Sequence, residues 1–226
     1  MCIVNGENVA DGAGITGKPA DKLLGAGADV VTLGNHTFRR DGIGPYLDSS
    51  ERVIRPANWG VRAPGKGMTV VEARNGVAVA VINLMGRLFL DVATSPWEMV
   101  DELVDEARSR APIVVVDFHA EATSEKIAIS SWLDGRVTAV IGTHTHVQTN
   151  DARILRGGTA AVTDAGMTGP HDSVIGVVAD LAIRRMRTGQ PVRFQPAEGG
   201  VRIEGVVVDC ADDGRAESIE LLRVEL

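Results

Sequence analysis

Two stretches of the 226-residue chain, IVVVDFHAE (113–121) and VTAVIGTHTH (137–146), decide how the rest is read. Each is a run of β-branched and apolar residues of the kind that forms a buried strand, and each breaks off at histidine. Between them EATSEKIAISSWL (121–133) reads as a helix. Strand, helix and strand in alternation is the pattern of an α/β protein.

Working outward, the same ending recurs. IVNGEN (3–8) closes a strand at residues 1–5 and ends in Glu7 and Asn8; VVTLGNH (30–36) ends in Asn35 and His36. TAAVTDAG (159–166) ends in Asp164, with His171 a little beyond. All five histidines thus lie at or just past the C-terminal end of an expected strand. In a sheet that is even partly parallel, those ends converge on one edge, where α/β proteins build their sites.

The remaining elements are more ordinary. Thr16 is placed to cap a helix running to about Ala26, with Pro19 in its first turn. Residues 37–67 read as loop-rich and locally basic. Residues 68–86 read as a hairpin, with Asn75-Gly76 as a two-residue turn. A helix is expected over 95–111 behind Ser95, a partly helical stretch over 174–188, and two strands in the tail (200–210 and 217–226). No linker or repeat interrupts the chain, so one domain over 1–226 is expected.

Composition narrows the function classes. A net charge of −7 argues against a long nucleic-acid polymer, so no DNA partner is expected. No apolar stretch approaches the roughly 20 residues of a membrane span. Residues 1–15 lack a basic leader and apolar core, which leads to the expectation of a cytoplasmic protein. Cys2 and Cys210 form no metal-binding spacing and read as bystander thiols.

Taken singly, a histidine after a strand is usually a hydrogen-bonded structural residue, Asn35 a turn former and Glu7 a solvated acid. His144 and His146 are harder to explain that way. Two residues apart in an extended segment, their rings point to the same side. Imidazole, carboxylate and amide oxygen without thiolate suit Mn, Fe or Zn.

The order NGEN (5–8), GNH (34–36), DFHAEATSEK (117–126), GTHTHVQT (142–149) and TDAGMTGPHDSVIG (163–176) resembles the bacterial YmdB-like family of calcineurin-like metallophosphoesterases. RPANWG (55–60), INLMGR (82–87) and LDGRV (133–137) extend the resemblance over essentially the whole chain. GNH and GTHTH are shared by the wider superfamily, whereas DFHAEATSEK with MTGPHDS is far more specific.

The resemblance implies an α/β fold, a β-sandwich flanked by helices. It also implies hydrolysis of 2′,3′- or 3′,5′-cyclic nucleotides, or related small phosphodiesters, by a hydroxide activated at two metal ions of Fe, Mn or Zn type. Glu7 would bridge the ions. Asn8 and His146 would serve one ion, and Asn35, His119 and His144 the other. His36 would donate a proton to the leaving oxygen.

The sequence departs from the family in one respect: members begin with a strand ending in a Gly-Asp motif whose aspartate is a ligand, and nothing here corresponds to it. The expectation is either a start assigned too far downstream or a shortened chain with one weakened metal position. A shortened chain would expose sheet surface and favour a homo-oligomer. Two rivals stay open. One is a metal-dependent amidohydrolase, for which too little chain remains to build a barrel. The other is a metal-binding, weakly active or inactive regulatory protein acting through an RNA or protein partner, supported by the basic 39–66 stretch.

Overall fold

In the computed structural model, which describes residues 1–90 and 94–226, strands β1 (Ile3–Asn5), β2 (Val30–Thr32) and β3 (Val53–Ile54) form a parallel three-stranded sheet. Side chains alternate across a strand, so Val31 and Leu33 face one way and Val30 the other. Val31, Leu33 and Val53 are covered by helices α1 (Gly17–Gly25) and α2 (Ile43–Ser49), through Ala20, Ile43 and Leu47. Val30 and Ile54 instead meet Val79 and Val81 of a second sheet.

That second sheet has six strands: β4 (Met68–Glu72), β5 (Ala78–Met85), β6 (Ile113–His119), β7 (Ala139–Thr143), β8 (Arg153–Ile154) and β9 (Ala160–Val162). Their order is β4-β5-β6-β7-β9-β8. The four central strands are parallel and the two edge strands antiparallel. Helices α3 (Val100–Arg110) and α4 (Thr123–Trp132) cover its outer face, where Val104, Ala107, Ile129 and Leu133 pack on Leu84, Val116 and Phe118. Layered as helices, sheet, sheet, helices, the chain has the expected α/β sandwich.

The alternation in β6 positions the site. Val114, Val116 and Phe118 point to the helices, while Ile113 and Val115 point between the sheets. Asp117 and His119 continue that inner row, which carries His119 to the end of the seam. Beyond it, β10 (Gly169–Pro170), helix α5 (Ala179–Thr188), β11 (Val201–Cys210) and β12 (Ala216–Glu225) complete the chain. The antiparallel β11–β12 hairpin lays Val208 and Ile219 against Ala139 and Ala160.

Three local readings are corrected. Residues 37–67 hold α2 and β3 rather than only loop. Helix α2 follows Gly42, its N-cap residue with φ +79°, and contains Gly44 and Pro45, so its sequence is a poor helix former; burial of Ile43 and Leu47 one turn apart supports it. The basic side chains of this region include two that are engaged internally: Arg55 is buried and donates to the carbonyls of Pro56, Ala63 and Pro64, and Lys66 pairs with Glu51. The β4–β5 turn is one residue wider than expected, because Ala73 and Val77 still bond across it and Gly76 takes φ +82°. Finally, Thr16 and Ser95 occupy cap positions without a side-chain capping bond. Among the described residues, no helix is long and apolar enough to cross a membrane.

Candidate metal centre

The C-terminal ends of β1, β2, β6 and β7 meet at one edge of the sandwich. Glu7, two residues past β1, is 1% exposed. Asn5 holds it there: the Asn5 side chain accepts the Glu7 backbone N–H at 3.2 Å and donates to Asp117 Oδ2 at 3.1 Å. Past β2 the chain must come close, and Gly34 permits it. A Cβ at Gly34 would run into Glu7 Oε2 and the His119 ring.

His119 Nε2 is the hub. It lies 2.6 Å from Glu7 Oε2, 3.0 Å from Asn35 Oδ1 and 3.0 Å from His144 Nδ1. The surrounding polar contacts orient the two rings. Thr143 Oγ1 donates to Asp117 Oδ1 at 2.7 Å, so it accepts from His119 Nδ1 at 3.0 Å and leaves His119 Nε2 with a free lone pair. His144 Nε2 lies 3.0 Å from the Glu121 carboxylate, a contact that turns the opposite nitrogen, Nδ1, toward His119.

Four potential ligand atoms therefore converge, Glu7 Oε2, Asn35 Oδ1, His119 Nε2 and His144 Nδ1. Glu7 Oε2 is buried and lacks a hydrogen-bond partner among the described residues, an arrangement that costs free energy unless a cation fills it. Glu7, His119 and His144 present ligand atoms all within 4.8 Å of one another. The donor set and this orphaned oxygen fit a borderline divalent or ferric ion.

A second group adjoins the first. The other Glu7 oxygen accepts the His36 backbone N–H and stands 3.7 Å from His36 Nδ1. Asn8 Oδ1 is 2.8 Å from that same Nδ1, and Asn8 Nδ2 is 3.2 Å from His146 Nε2. His146 Nδ1 donates to the Ile175 carbonyl at 3.1 Å, so its Nε2 carries the lone pair, which here accepts from Asn8 Nδ2. All seven residues singled out in the sequence, Glu7, Asn8, Asn35, His36, His119, His144 and His146, are thus brought together.

The geometric reason for the His-x-His pair differs from the one expected. His144 has φ +101° and His146 φ +65°, so this segment is not extended. Both residues occupy backbone conformations that L-residues avoid. Their rings diverge, His144 toward His119 and His146 toward Asn8.

Charge reinforces the assembly. Burial raises the Glu7 carboxyl, but the neighbouring His119 and His36 outweigh it and hold the group below its ordinary value. Burial drives the His144 imidazole down to about 4, with the adjacent His119 adding to the effect. His36 is also lowered, by burial and by Arg39, His119 and His146 against the pull of Glu7.

His171 stays outside the cluster, bonded to the Met167 carbonyl at 3.1 Å. The sequence reading missed Asp117, Thr143, Glu121 and Lys126. Asp117 had a signal, a lone acid two residues before His119 on the same face of an apolar strand. Lys126 had none, since a helical lysine normally faces solvent.

The family profile described as YmdB-like protein matches residues 1–222. The chain belongs to the YmdB-like family. A relative, the 2′,3′-cyclic-nucleotide 2′-phosphodiesterase of Bacillus subtilis (strain 168), is 49% identical over 222 residues, covering 98% of this chain and 83% of that protein. A crystal structure of a hypothetical protein from Thermus thermophilus superposes with a TM-score of 0.92 at 40% identity, covering 99% of this chain and 86% of that one. That of a novel phosphatase from Mycoplasma pneumoniae gives 0.90 at 33%, covering 99% and 81%. With these relatives, the YmdB-like chain is a hydrolase of the phosphatase and phosphodiesterase type with a calcineurin-like fold.

Proposed function

We propose that the chain is a metal-dependent phosphodiesterase acting on 2′,3′- or 3′,5′-cyclic nucleotides or related small phosphodiesters. One observation carries the reading: buried Glu7 Oε2 has no hydrogen-bond partner among the described residues and stands at a cluster of potential ligand atoms from Asn35, His119 and His144. The 49% identity to a cyclic-nucleotide phosphodiesterase supports the substrate class.

Glu7, Asn35, His119 and His144 would hold one ion, and Glu7, Asn8 and His146 a second. Fe, Mn or Zn bound there supplies Lewis acidity toward a phosphoryl oxygen and makes water a stronger nucleophile at neutral pH. The protein's own groups do the rest. Thr143 accepts from His119 Nδ1 and turns Nε2 toward Glu7, and Glu121 stands 3.0 Å from His144 Nε2 with Nδ1 turned toward His119. His36 donates a hydrogen bond from Nδ1–H to Asn8 Oδ1, which leaves Nε2 to exchange a proton with substrate. As imidazolium, with a proton taken up from solvent, the ring would deliver its Nε2 proton to the leaving oxygen and return to the neutral form.

Product formation from 2′,3′- and 3′,5′-cyclic AMP, followed chromatographically with added Mn²⁺ and after chelation, tests this reading. Cleavage that vanishes on chelation and returns with metal is expected. Metal-loaded protein that cleaves neither ester, nor any simple aryl phosphodiester, overturns it.

A further inference from the structure

Between His144 and His146, the two residues with left-handed backbone, Thr145 is held from behind. Asp164 Oδ2 accepts its backbone N–H at 2.9 Å and its hydroxyl at 2.7 Å. The same oxygen is 3.1 Å from Lys126 Nζ, which also reaches Thr145 Oγ1 at 3.3 Å. Lys126 is 4% exposed and Asp164 1%, so this ion pair lies inside the protein. Asp164 is fully engaged: its other oxygen takes the Gly166 N–H, and its backbone N–H and carbonyl bond Thr149.

A buried pair of this kind is a poor route to stability, because removing two charges from water offsets most of their attraction. Its geometry has another consequence. Gripping Thr145 fixes the one peptide segment from which two ligands leave in opposite directions, His144 Nδ1 toward His119 Nε2 and His146 Nε2 toward Asn8. The grip also opposes relaxation of the two unfavourable φ angles on either side of it, which persist only where their surroundings hold them.

We propose that Lys126 and Asp164 are positioning residues for the metal centre, holding Thr145 so that His144 and His146 reach the two groups of ligands at once. Both act through Thr145 rather than on a ligand atom. This rests on the metal-centre reading above. Substitutions behind metal-ligating histidines typically weaken binding about 10–100-fold, and a comparable loss is expected here.

The test titrates the metal-free full chain with Co²⁺, following equilibrium binding and the visible absorption of the bound ion. Thr145→Val removes the hydroxyl contact and leaves the ion pair, Thr145→Ser keeps both, and Asp164→Asn removes the pair. Weaker cobalt binding with an altered spectrum is expected for Thr145→Val and more strongly for Asp164→Asn, with Thr145→Ser close to wild type. If Asp164→Asn does not fold, the Thr145 variants decide. Wild-type affinity and spectrum in Thr145→Val overturn the proposal, as does a loss of equal size in Thr145→Ser. Melting of the metal-free proteins separates the roles: lower melting temperatures with unchanged cobalt binding make the pair structural only. A wild-type chain that binds no cobalt overturns the metal-centre reading itself, and this proposal with it.

Discussion

His119 Nε2 stands 2.6 Å from Glu7 Oε2 across the seam between the two sheets, without the alignment of a hydrogen bond. One atom belongs to the second sheet and the other to the loop leaving the first. The sandwich is closed at this end by side chains whose ligand atoms face one another, an arrangement that a bound cation stabilises.

The close approach depends on Gly34. Gly34→Ala would place a methyl group against Glu7 Oε2 and the His119 ring. The variant is expected to keep its secondary structure by circular dichroism while binding metal about 10–100-fold more weakly. Full metal content in Gly34→Ala would show that the cluster opens when metal binds.

His36 borders the ligands through Asn8 but is assigned the proton. His36→Ala is expected to lower turnover by roughly 10²–10⁴-fold, the usual range for a general acid, with metal content nearly intact by elemental analysis. Loss of metal together with activity would make it a ligand.

His144 is assigned the opposite behaviour. His144→Ala removes a ligand atom that lies 3.0 Å from His119 Nε2, and metal is expected to be lost outright. A variant purified with full occupancy would take His144 out of the ligand set.

Much of this was legible in the sequence, because a sandwich of parallel strands writes its site at strand ends. Glu7, Asn35, His119 and His144 each follow an apolar run, and the apolar runs were readable from periodicity alone. What escaped was imposed by tertiary packing. Helix α2 carries Gly44 and Pro45 and is supported by burial of Ile43 and Leu47, which no local propensity announces. The left-handed φ of His144 and His146 depends on Thr145 being held by Asp164, a contact between residues 19 apart. Burial of Lys126 depends on its ion pair with the same carboxylate.

The metal-free chain should show the charge state of His144 in its stability. Folding holds this imidazole at about 4, against 6.5 ordinarily. A group lowered on folding contributes stability that is present above its unfolded pKa and lost as pH falls through the folded one. Glu7, lowered by its neighbours, acts in the same sense; Asp117, raised by burial, acts in the opposite one. Subtracting the His144→Ala variant isolates the histidine. In chelator-treated samples, the denaturant midpoint of wild type relative to that variant should fall between pH 6.5 and about 4. A difference that does not change over that range would contradict the assignment.

The metal centre is tested most directly by metal stoichiometry from elemental analysis, with hydrolysis of bis-p-nitrophenyl phosphate assayed on the same purified sample. Bound Fe, Mn or Zn is expected, with turnover that rises and falls with metal content as metal is stripped and restored. A folded chain that takes up no metal, or whose phosphodiester cleavage is indifferent to it, would contradict the assignment of Glu7, Asn35, His119 and His144 as the heart of a hydrolytic metal site.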